Sequence, residues 1–225
     1  MANVGPPVVL PSPWLGEWAY AGLASALGGW VAPLPPTIRA EIVLRGWVEA
    51  VAARSPGLIV AHSNAGFYAP AVAEATGVPI VFVDAALPSA GVSTRVVPPE
   101  LADGLRARVD GEGLLPPWPT WWAREQIEPL FPGPDVYEQA CRAAPRVPGP
   151  YVTDEVPVPE GWAAREGLAY LAFGRTYAAE IATAEQLGWP VLVLPEQNHL
   201  LHLHNPAPVA AEVRQLAGGR GRGWG

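Results

Sequence analysis

Short apolar runs alternate along this chain with stretches that have the spacing of helices. The runs cover residues 8–10, 30–34, 58–61, 79–83, 168–173 and 191–194. Between them, an apolar stripe with the i, i+3, i+4, i+7 spacing of a helix packed on a sheet is formed by Leu44, Trp47, Val48 and Val51. Residues 177–187 predict another helix, which ends at Gly188. This alternation predicts an α/β fold, with a mostly parallel sheet of about six strands and helices on both faces.

The hydrophobic pattern changes between residues 88 and 162, which are rich in proline and tryptophan. Helices are expected near residues 100–109, 121–130 and 135–144. The apolar surface of Trp118, Trp121 and Trp122 is too large to be left in water, so we expect this segment to be ordered. We therefore predict a core of residues 1–87 and 163–217, a helical insertion at 88–162, and a flexible glycine-rich tail at 218–225.

Composition narrows the classes of function. A chain of 225 residues, of which half are hydrophobic, forms one globular domain. Its net charge of −7 predicts neither nucleic acid nor an anionic membrane as a partner, and no apolar run is long enough to cross a bilayer. All basic residues are arginine, which excludes a lysine nucleophile. A single cysteine, Cys141, and an N-terminus without the pattern of a signal peptide favour the cytoplasm.

The candidate nucleophile is Ser63, at the end of the apolar run 58–61. The sequence around it reads Ala61-His62-Ser63-Asn64-Ala65-Gly66. This resembles the G-x-S-x-G elbow, in which small residues let a strand and a helix cross closely and hold an exposed serine in a strained turn. Both pattern glycines are alanines here, and alanine is the next smallest residue. The alternative is that Ser63 is an ordinary polar residue at a strand-to-helix turn.

With this elbow, the chain resembles the α/β-hydrolase family over nearly its whole length. The resemblance implies that residues 88–162 form a cap, and that a histidine after the last strand is the catalytic base. The segment that matches runs from Asn198 to Ala210 and places His199 as that base. The neighbouring His202 and His204, and His62 beside the serine, are then structural or face solvent. The histidines lack the accompanying carboxylates or cysteines of a metal site, so we expect no metal and no cofactor.

The acid of the expected triad has two candidates. The family usually carries it three residues after a glycine, where this chain has Tyr177, which cannot serve as an anionic partner. Asp84, at the end of the strand that follows the elbow helix, matches the acid position of some family members and is favoured. Glu180 is the alternative, and a serine–histidine dyad without an acid stays open.

The oxyanion hole needs two N–H donors. Asn64, directly after the serine, supplies one by the resemblance. Pro13, at the usual place of the second, has no N–H, so the donor shifts to Trp14 or to the Ser12 side chain, or is absent.

Trp14, Trp118, Trp121 and Trp122 predict a flat-walled apolar pocket. The leading hypothesis is a serine enzyme that hydrolyses an ester or thioester of a hydrophobic or aromatic acid through an acyl-Ser63 intermediate. The alternatives are an acyltransferase or carrier-protein thioesterase in a biosynthetic pathway, with an acyl carrier protein as partner, and a non-hydrolytic lyase or ligand-binding protein.

Overall fold

The computed structural model describes residues 5–218 of the chain. In this range the strands are β1 (Val8–Leu10), β2 (Trp30–Val31), β3 (Ile59–Ser63), β4 (Ile80–Ala85), β5 (Ser93–Arg95), β6 (Glu155–Pro157), β7 (Leu168–Phe173) and β8 (Val191–Leu194). The α-helices are α1 (Ala21–Leu27), α2 (Ala40–Arg54), α3 (Ala69–Thr76), α4 (Pro99–Arg106), α5 (Arg124–Ile127), α6 (Pro134–Ala143), α7 (Ala178–Gln186), α8 (Leu201–His204) and α9 (Pro206–Gly218). None of the helices in residues 5–218 is both long and apolar enough to cross a membrane.

Six of the strands form one sheet in the order β2-β1-β3-β4-β7-β8, and every neighbouring pair is parallel. The predicted α/β fold with a parallel sheet of six strands is therefore confirmed. Strand β2 is shorter than the predicted run 30–34. The N–H of Ala32 still donates to the carbonyl oxygen of Val9 in β1, but the next N–H on that side, of Leu34, donates to the carboxylate of Glu17 instead.

The core occupies both faces of the sheet, because successive side chains of a strand point in opposite directions. On one face, Val8, Ile59 and Phe82 share a hydrophobic cluster with Trp47 of α2. On the other face, a second cluster is formed by Val9, Val60, Val81, Leu171, Leu23 of α1 and Val213 of α9. Helices therefore cover both faces, as the sequence pattern predicts.

Residues 88–162 hold α4, α5, α6 and the antiparallel pair of β5 with β6, which brings the two ends of the segment together. The helix predicted near 121–130 is wrong as a single element. Within this range the structure has only α5 and the 3-10 turn Glu128–Leu130, and a further 3-10 turn, Trp118–Thr120, precedes it. Pro129 explains the break, since proline lacks the N–H that would continue α5.

The division of the chain into a core and a cap stays a prediction. Val96, Leu105, Leu115 and Tyr151 from the predicted cap share the hydrophobic cluster of the sheet's first face. At the C-terminus, Gly218 ends α9, and residues 219–225 of the predicted flexible tail lie outside the described residues.

Candidate active site

Ser63 ends strand β3 in a strained conformation. Its φ is 57° and its ψ is −129°, a combination that a non-glycine residue adopts only when its surroundings hold it there. A 3-10 turn, Asn64–Phe67, follows at once and leads into α3. A Cβ added to Gly66 would lie 2.0 Å from the carbonyl oxygen of Ala86, so only glycine fits at this crossing. The elbow geometry is thus present although alanines replace both pattern glycines.

Asp84 is brought to the same edge of the sheet by a bulge in β4. His62 pairs with Val83, but Ser63 pairs with Ala85, so Asp84 is the extra residue between them and has a φ of 41°. Its side chain is fully buried, and Oδ1 accepts a hydrogen bond of 2.9 Å from the backbone N–H of Phe173. The bulge therefore fixes the direction of the carboxylate.

The second oxygen of this carboxylate faces His199. Nδ1 of His199 lies 2.6 Å from Oδ2 of Asp84, and the imidazole is mostly buried. Glu180, the alternative acid, makes no hydrogen bond to His199 within residues 5–218. It is half-buried beside the cavity described below, and desolvation raises the pKa of its carboxyl, as does the charge of Asp84. The geometry pairs His199 with Asp84.

The hydroxyl of Ser63 has a partner that the sequence did not predict. Its Oγ lies 3.4 Å from the hydroxyl oxygen of Tyr177, while the part of the chain described here contains no hydrogen bond between Ser63 and His199. Tyr177 stands just before α7, where the family usually carries its acid, and its ring centroid is 5.6 Å from that of His199. The sequence signal that could have pointed to Tyr177 is Gly174, three residues earlier, because the family's acid usually has this spacing from a glycine.

A cavity of about 550 Å³ opens above these residues. Ser63, Asn64, Tyr177 and His199 lie at its polar end. The four predicted tryptophans all line it: Trp14, Trp118, Trp121 and Trp122. Charged groups also contribute to its wall: Glu100, Arg108 and Glu180.

The tryptophans pack against one another around this cavity. Trp14 and Trp121 meet edge to face, with ring centroids 4.9 Å apart, and both are largely buried. Trp122 is 46% exposed and therefore stands at the mouth. The cavity has aromatic walls close to the serine and a partly apolar rim in contact with solvent.

No family model and no curated protein matches the sequence. Solved structures, in contrast, match over nearly the whole chain. An extracellular α/β-hydrolase from a Paenibacillus species is 16% identical, with a TM-score of 0.71, covering 94% of this chain and 98% of its own. A thermophilic esterase from Thermogutta terrifontis is 17% identical, with a TM-score of 0.61 and coverage of 96% and 91%. Naproxen esterase from Bacillus subtilis is 12% identical, with a TM-score of 0.58 and coverage of 96% and 84%.

This chain has the α/β-hydrolase fold. At this degree of identity the matches establish the fold, and the roles of the individual residues depend on the geometry of the site. Relative to the usual α/β-hydrolase pattern, the carboxylate that meets the histidine lies on β4, and a tyrosine occupies the place after β7.

The two predicted oxyanion residues of this α/β-hydrolase fold both line the cavity, and each contacts Tyr151. Asn64 begins the 3-10 turn after Ser63, where a backbone N–H has no partner within the turn. Its side-chain Nδ2 donates to the carbonyl oxygen of Val96 over 2.5 Å, and its Oδ1 accepts from the hydroxyl of Tyr151 over 2.7 Å. The ring of Tyr151 also packs edge to face against Trp14, at 4.8 Å.

The N–H of Trp14, predicted as the second oxyanion donor, is engaged within its own loop. The backbone N–H of Trp14 points to Oγ of Ser12, 3.4 Å away. Of the two groups considered as replacements for Pro13, the Trp14 N–H is therefore directed at Ser12, while the buried Ser12 hydroxyl accepts this bond and keeps its own proton.

His62 is buried behind the elbow and has a defined tautomer. Its Nε2 lies 3.0 Å from the carbonyl oxygen of His199, which can only accept, so Nε2 carries the proton. Nδ1 then accepts from the hydroxyl of Tyr20 at 2.9 Å, and the same hydroxyl accepts the N–H of Ser12 at 3.1 Å. Desolvation lowers the pKa of His62 well below its usual value, so that the ring is neutral. The sequence predicted a structural His62 but gave no signal for Tyr20.

The other two histidines differ in their surroundings. His202 is buried and stacks on Tyr20 with ring centroids 4.9 Å apart, and neither of its ring nitrogens has a hydrogen-bond partner among residues 5–218. Desolvation lowers the pKa of His202 to about 3. His204 donates to the carbonyl oxygen of Leu130 over 2.8 Å. Within residues 5–218, no group of three or more His, Cys, Asp or Glu side chains is arranged to hold a metal ion.

Proposed function

We propose that this protein is a serine hydrolase that cleaves an ester or thioester of a hydrophobic or aromatic acid through an acyl-Ser63 intermediate. The observation that carries the proposal is the contact of 2.6 Å between His199 and Asp84, at the edge of the sheet where the strained Ser63 stands. These groups meet one cavity, and esterases are among the structures that share the fold. Serine, acid and histidine also follow one another along the chain in the order usual for this fold.

The proposed reaction moves its proton through His199. Nδ1 of His199 donates to Asp84, so Nε2 is the nitrogen that accepts the proton of Ser63 Oγ during attack on the carbonyl carbon. The Asp84 carboxylate stabilises the imidazolium that forms. The carbonyl π electrons move to its oxygen, which accepts the N–H of Asn64. When the tetrahedral species collapses, the leaving group takes the proton from His199, and water later repeats the sequence on the acyl-enzyme.

In the resting structure the serine must leave its contact with Tyr177 to meet His199. Rotation about χ1 of a serine is a small movement between staggered positions. Catalytic hydrogen bonds are often long before substrate binds, so the resting contact is compatible with this role.

The cavity supports the choice of substrate class. Its walls near Ser63 are aromatic or aliphatic, with Trp14, Phe67, Val97 and Leu105 among them. A volume of about 550 Å³ is enough for an acyl group of drug-like size, and burial of apolar surface supplies the binding energy.

The test is covalent labelling of the serine combined with an activity panel. Wild-type protein is incubated with a fluorophosphonate probe and assayed on aryl and alkyl esters of increasing acyl size. Ser63→Ala is expected to lose both labelling and hydrolysis, whereas Ser25→Ala, on the exposed side of α1, retains both. Unchanged hydrolysis in the Ser63 variant, or no labelling of the wild type, would contradict the proposal.

The aromatic walls favour acyl transfer as a second candidate. An acceptor that packs its apolar surface against these walls competes with water for the acyl-enzyme, so a different acceptor, or a thioester delivered by an acyl carrier protein, fits the same residues. Incubation with a carrier-bound aromatic acid, followed by intact-mass measurement, distinguishes the two functions. A persistent acyl group on Ser63 that is released by an added alcohol or amine supports transfer, and rapid release by water alone supports hydrolysis.

We propose the cytoplasm as the place of action. The support is that the chain has one cysteine, Cys141, and so forms no disulfide of its own. Cell fractionation with an antibody against the protein tests this location, and recovery from the culture medium contradicts it.

A further inference from the structure

Tyr177 occupies a position that gives it access to the reacting atoms. It follows the turn at Gly174, whose φ is 68° and where an added Cβ would lie 2.8 Å from the carbonyl oxygen of Gln197. The turn thus packs against the loop that carries His199, two residues later. This contact couples the backbone near Tyr177 to the loop of the proposed base.

The phenol is directed at the polar end of the cavity. Its oxygen is 3.4 Å from Oγ of Ser63, and the residue lines the cavity together with Asn64 and His199. The carbonyl oxygen of a substrate attacked by Ser63 is two bonds from Oγ. Rotation of Ser63 about χ1 toward His199 leaves its Cβ in place and moves Oγ only between neighbouring staggered positions, so the Tyr177 hydroxyl stays near enough to reach that oxygen in the tetrahedral species.

The protonation state of Tyr177 makes it a donor. Desolvation raises the pKa of its phenol above the usual value, and the negative charges of Asp84 and Glu180 raise it further, while the hydrogen bond to Ser63 opposes this. The group is consequently a neutral phenol at physiological pH. It can donate one hydrogen bond and cannot act as a general base there.

Within residues 5–218, the loop after β1 directs no free backbone N–H at the oxyanion. Pro13 has no N–H, and the N–H of Trp14 points to Ser12. Asn64 supplies a single backbone donor, whereas stabilisation of a tetrahedral oxyanion normally uses two.

From these observations, and resting on the acyl-Ser63 chemistry proposed above, we infer that Tyr177 is a catalytic residue that donates the second hydrogen bond to the substrate oxyanion. During attack, the Ser63 proton passes to His199, the bond from Oγ to the carbonyl carbon forms, and the π electron pair moves to the carbonyl oxygen. The N–H of Asn64 and the O–H of Tyr177 both donate to that oxygen. On collapse the C=O bond re-forms, the leaving group departs with the His199 proton, and Tyr177 keeps its own proton throughout.

The first test is Tyr177→Phe, assayed on an aryl ester such as p-nitrophenyl butyrate. We expect kcat to fall on the order of 100-fold with little change in KM, because the lost hydrogen bond strengthens only in the transition state. Tyr137→Phe is the matched control, since its ring is buried in α6 away from the cavity. Equal kcat for Tyr177→Phe and the control, or a loss confined to KM, would overturn the inference.

Binding of two inhibitors separates a donor from a structural residue. Benzeneboronic acid forms a tetrahedral anion on a catalytic serine, whereas phenylacetamide binds as a neutral molecule. In Tyr177→Phe the inhibition constant of the boronic acid should rise on the order of tenfold while that of the amide is unchanged. Weakening of both to the same extent indicates a change of cavity shape and contradicts the inference.

A second variant keeps the inference testable if Tyr177→Phe folds poorly. Replacement of Tyr177 by 3,5-difluorotyrosine retains the ring and hydroxyl but makes the phenol more acidic. Since the donor is lost on ionisation, the alkaline decline of kcat should move to lower pH, and an unchanged profile contradicts the inference. If the wild type itself shows no Ser63-dependent activity, the proposed function fails. If that activity is present but insensitive to both Tyr177 variants, only this inference fails.

Discussion

Oδ2 of Asp84 lies 2.6 Å from Nδ1 of His199, across 115 residues of chain, and a single bulge in β4 makes this contact. Without the bulge, Asp84 would pair directly with β3 and its side chain would point to one face of the sheet. With it, one carboxylate oxygen accepts the N–H of Phe173 and the other faces the histidine. The carboxylate thus continues the β4–β7 ladder and orients the imidazole.

Removal of the Asp84 charge is expected to reduce activity more than any change at Glu180. In Asp84→Asn the amide can present its NH₂ to His199 and favour the wrong tautomer, so kcat should fall on the order of 10⁴-fold. Steady-state kinetics on an aryl ester, with circular dichroism to verify folding, measures this.

Glu180→Gln is the comparison, because it removes the other candidate carboxylate with almost no change of volume. Its loss of kcat should be far smaller, since no hydrogen bond joins Glu180 to His199 within residues 5–218. A larger loss in Glu180→Gln than in Asp84→Asn would assign the acid to α7.

The strands and the elbow were predictable because they depend on local patterns. Runs of apolar residues predict β7 and β8 with the boundaries that the structure has. The small residues on either side of Ser63 predict the tight turn there. The bulge at Asp84 was not predictable, since it depends on how β4 pairs with β3. The sequence could place an aspartate at the sheet edge but not the direction of its carboxylate.

Gly66 is expected to be indispensable at the elbow. In Gly66→Ala the added methyl group would lie 2.0 Å from the carbonyl oxygen of Ala86, and backbone cannot move aside as a flexible side chain can. We expect the free energy of unfolding to fall by about 3 kcal/mol, measured by urea denaturation.

The matched control is Gly46→Ala in the middle of α2, where an added Cβ meets nothing within 4 Å. This variant should gain about 0.5 to 1 kcal/mol, because alanine is the better helix former. If the two variants have equal stability, the close crossing of strand and helix is not what requires Gly66.

Tyr20 is expected to stabilise the site from beneath through two hydrogen bonds. Its hydroxyl donates to His62 and accepts the N–H of Ser12, and His62 in turn donates to the carbonyl oxygen of His199. Tyr20→Phe leaves two buried polar atoms without a partner, and the free energy of unfolding should fall by about 2 kcal/mol.

Chemical denaturation of Tyr20→Phe measures this effect, with Tyr137→Phe as the control. Among residues 5–218 the Tyr137 hydroxyl bonds only the thiol of Cys141, a weak hydrogen-bonding group, so its loss should cost little stability. Stability equal to that of the control would show that the Ser12–Tyr20–His62 chain contributes nothing. These hydrogen bonds could not be predicted from the sequence, because Tyr20 and His62 are 42 residues apart and no local pattern joins them.

His202 is expected to make stability depend on pH. Desolvation holds its pKa in the folded protein at about 3, whereas an unfolded histidine titrates near 6.5. The unfolded chain therefore binds a proton that the folded chain does not bind between these values. The free energy of unfolding should fall as pH decreases from about 6.5 toward 3, by up to about 1.4 kcal/mol per pH unit from this residue. The buried His62, with its lowered pKa, adds to the same trend.

His202→Phe removes the group that binds this proton in the unfolded chain and keeps an aromatic ring stacked on Tyr20. Both ring nitrogens of His202 lack partners among the described residues, so the variant should be more stable than wild type even at pH 7.5, by about 1 kcal/mol. Urea denaturation from pH 4.5 to 7.5 should give a shallower dependence on pH for His202→Phe, with the gap between the proteins widening toward acid. Parallel curves would mean that His202 is protonated equally in the folded and unfolded chains, and would contradict its burial as a neutral ring.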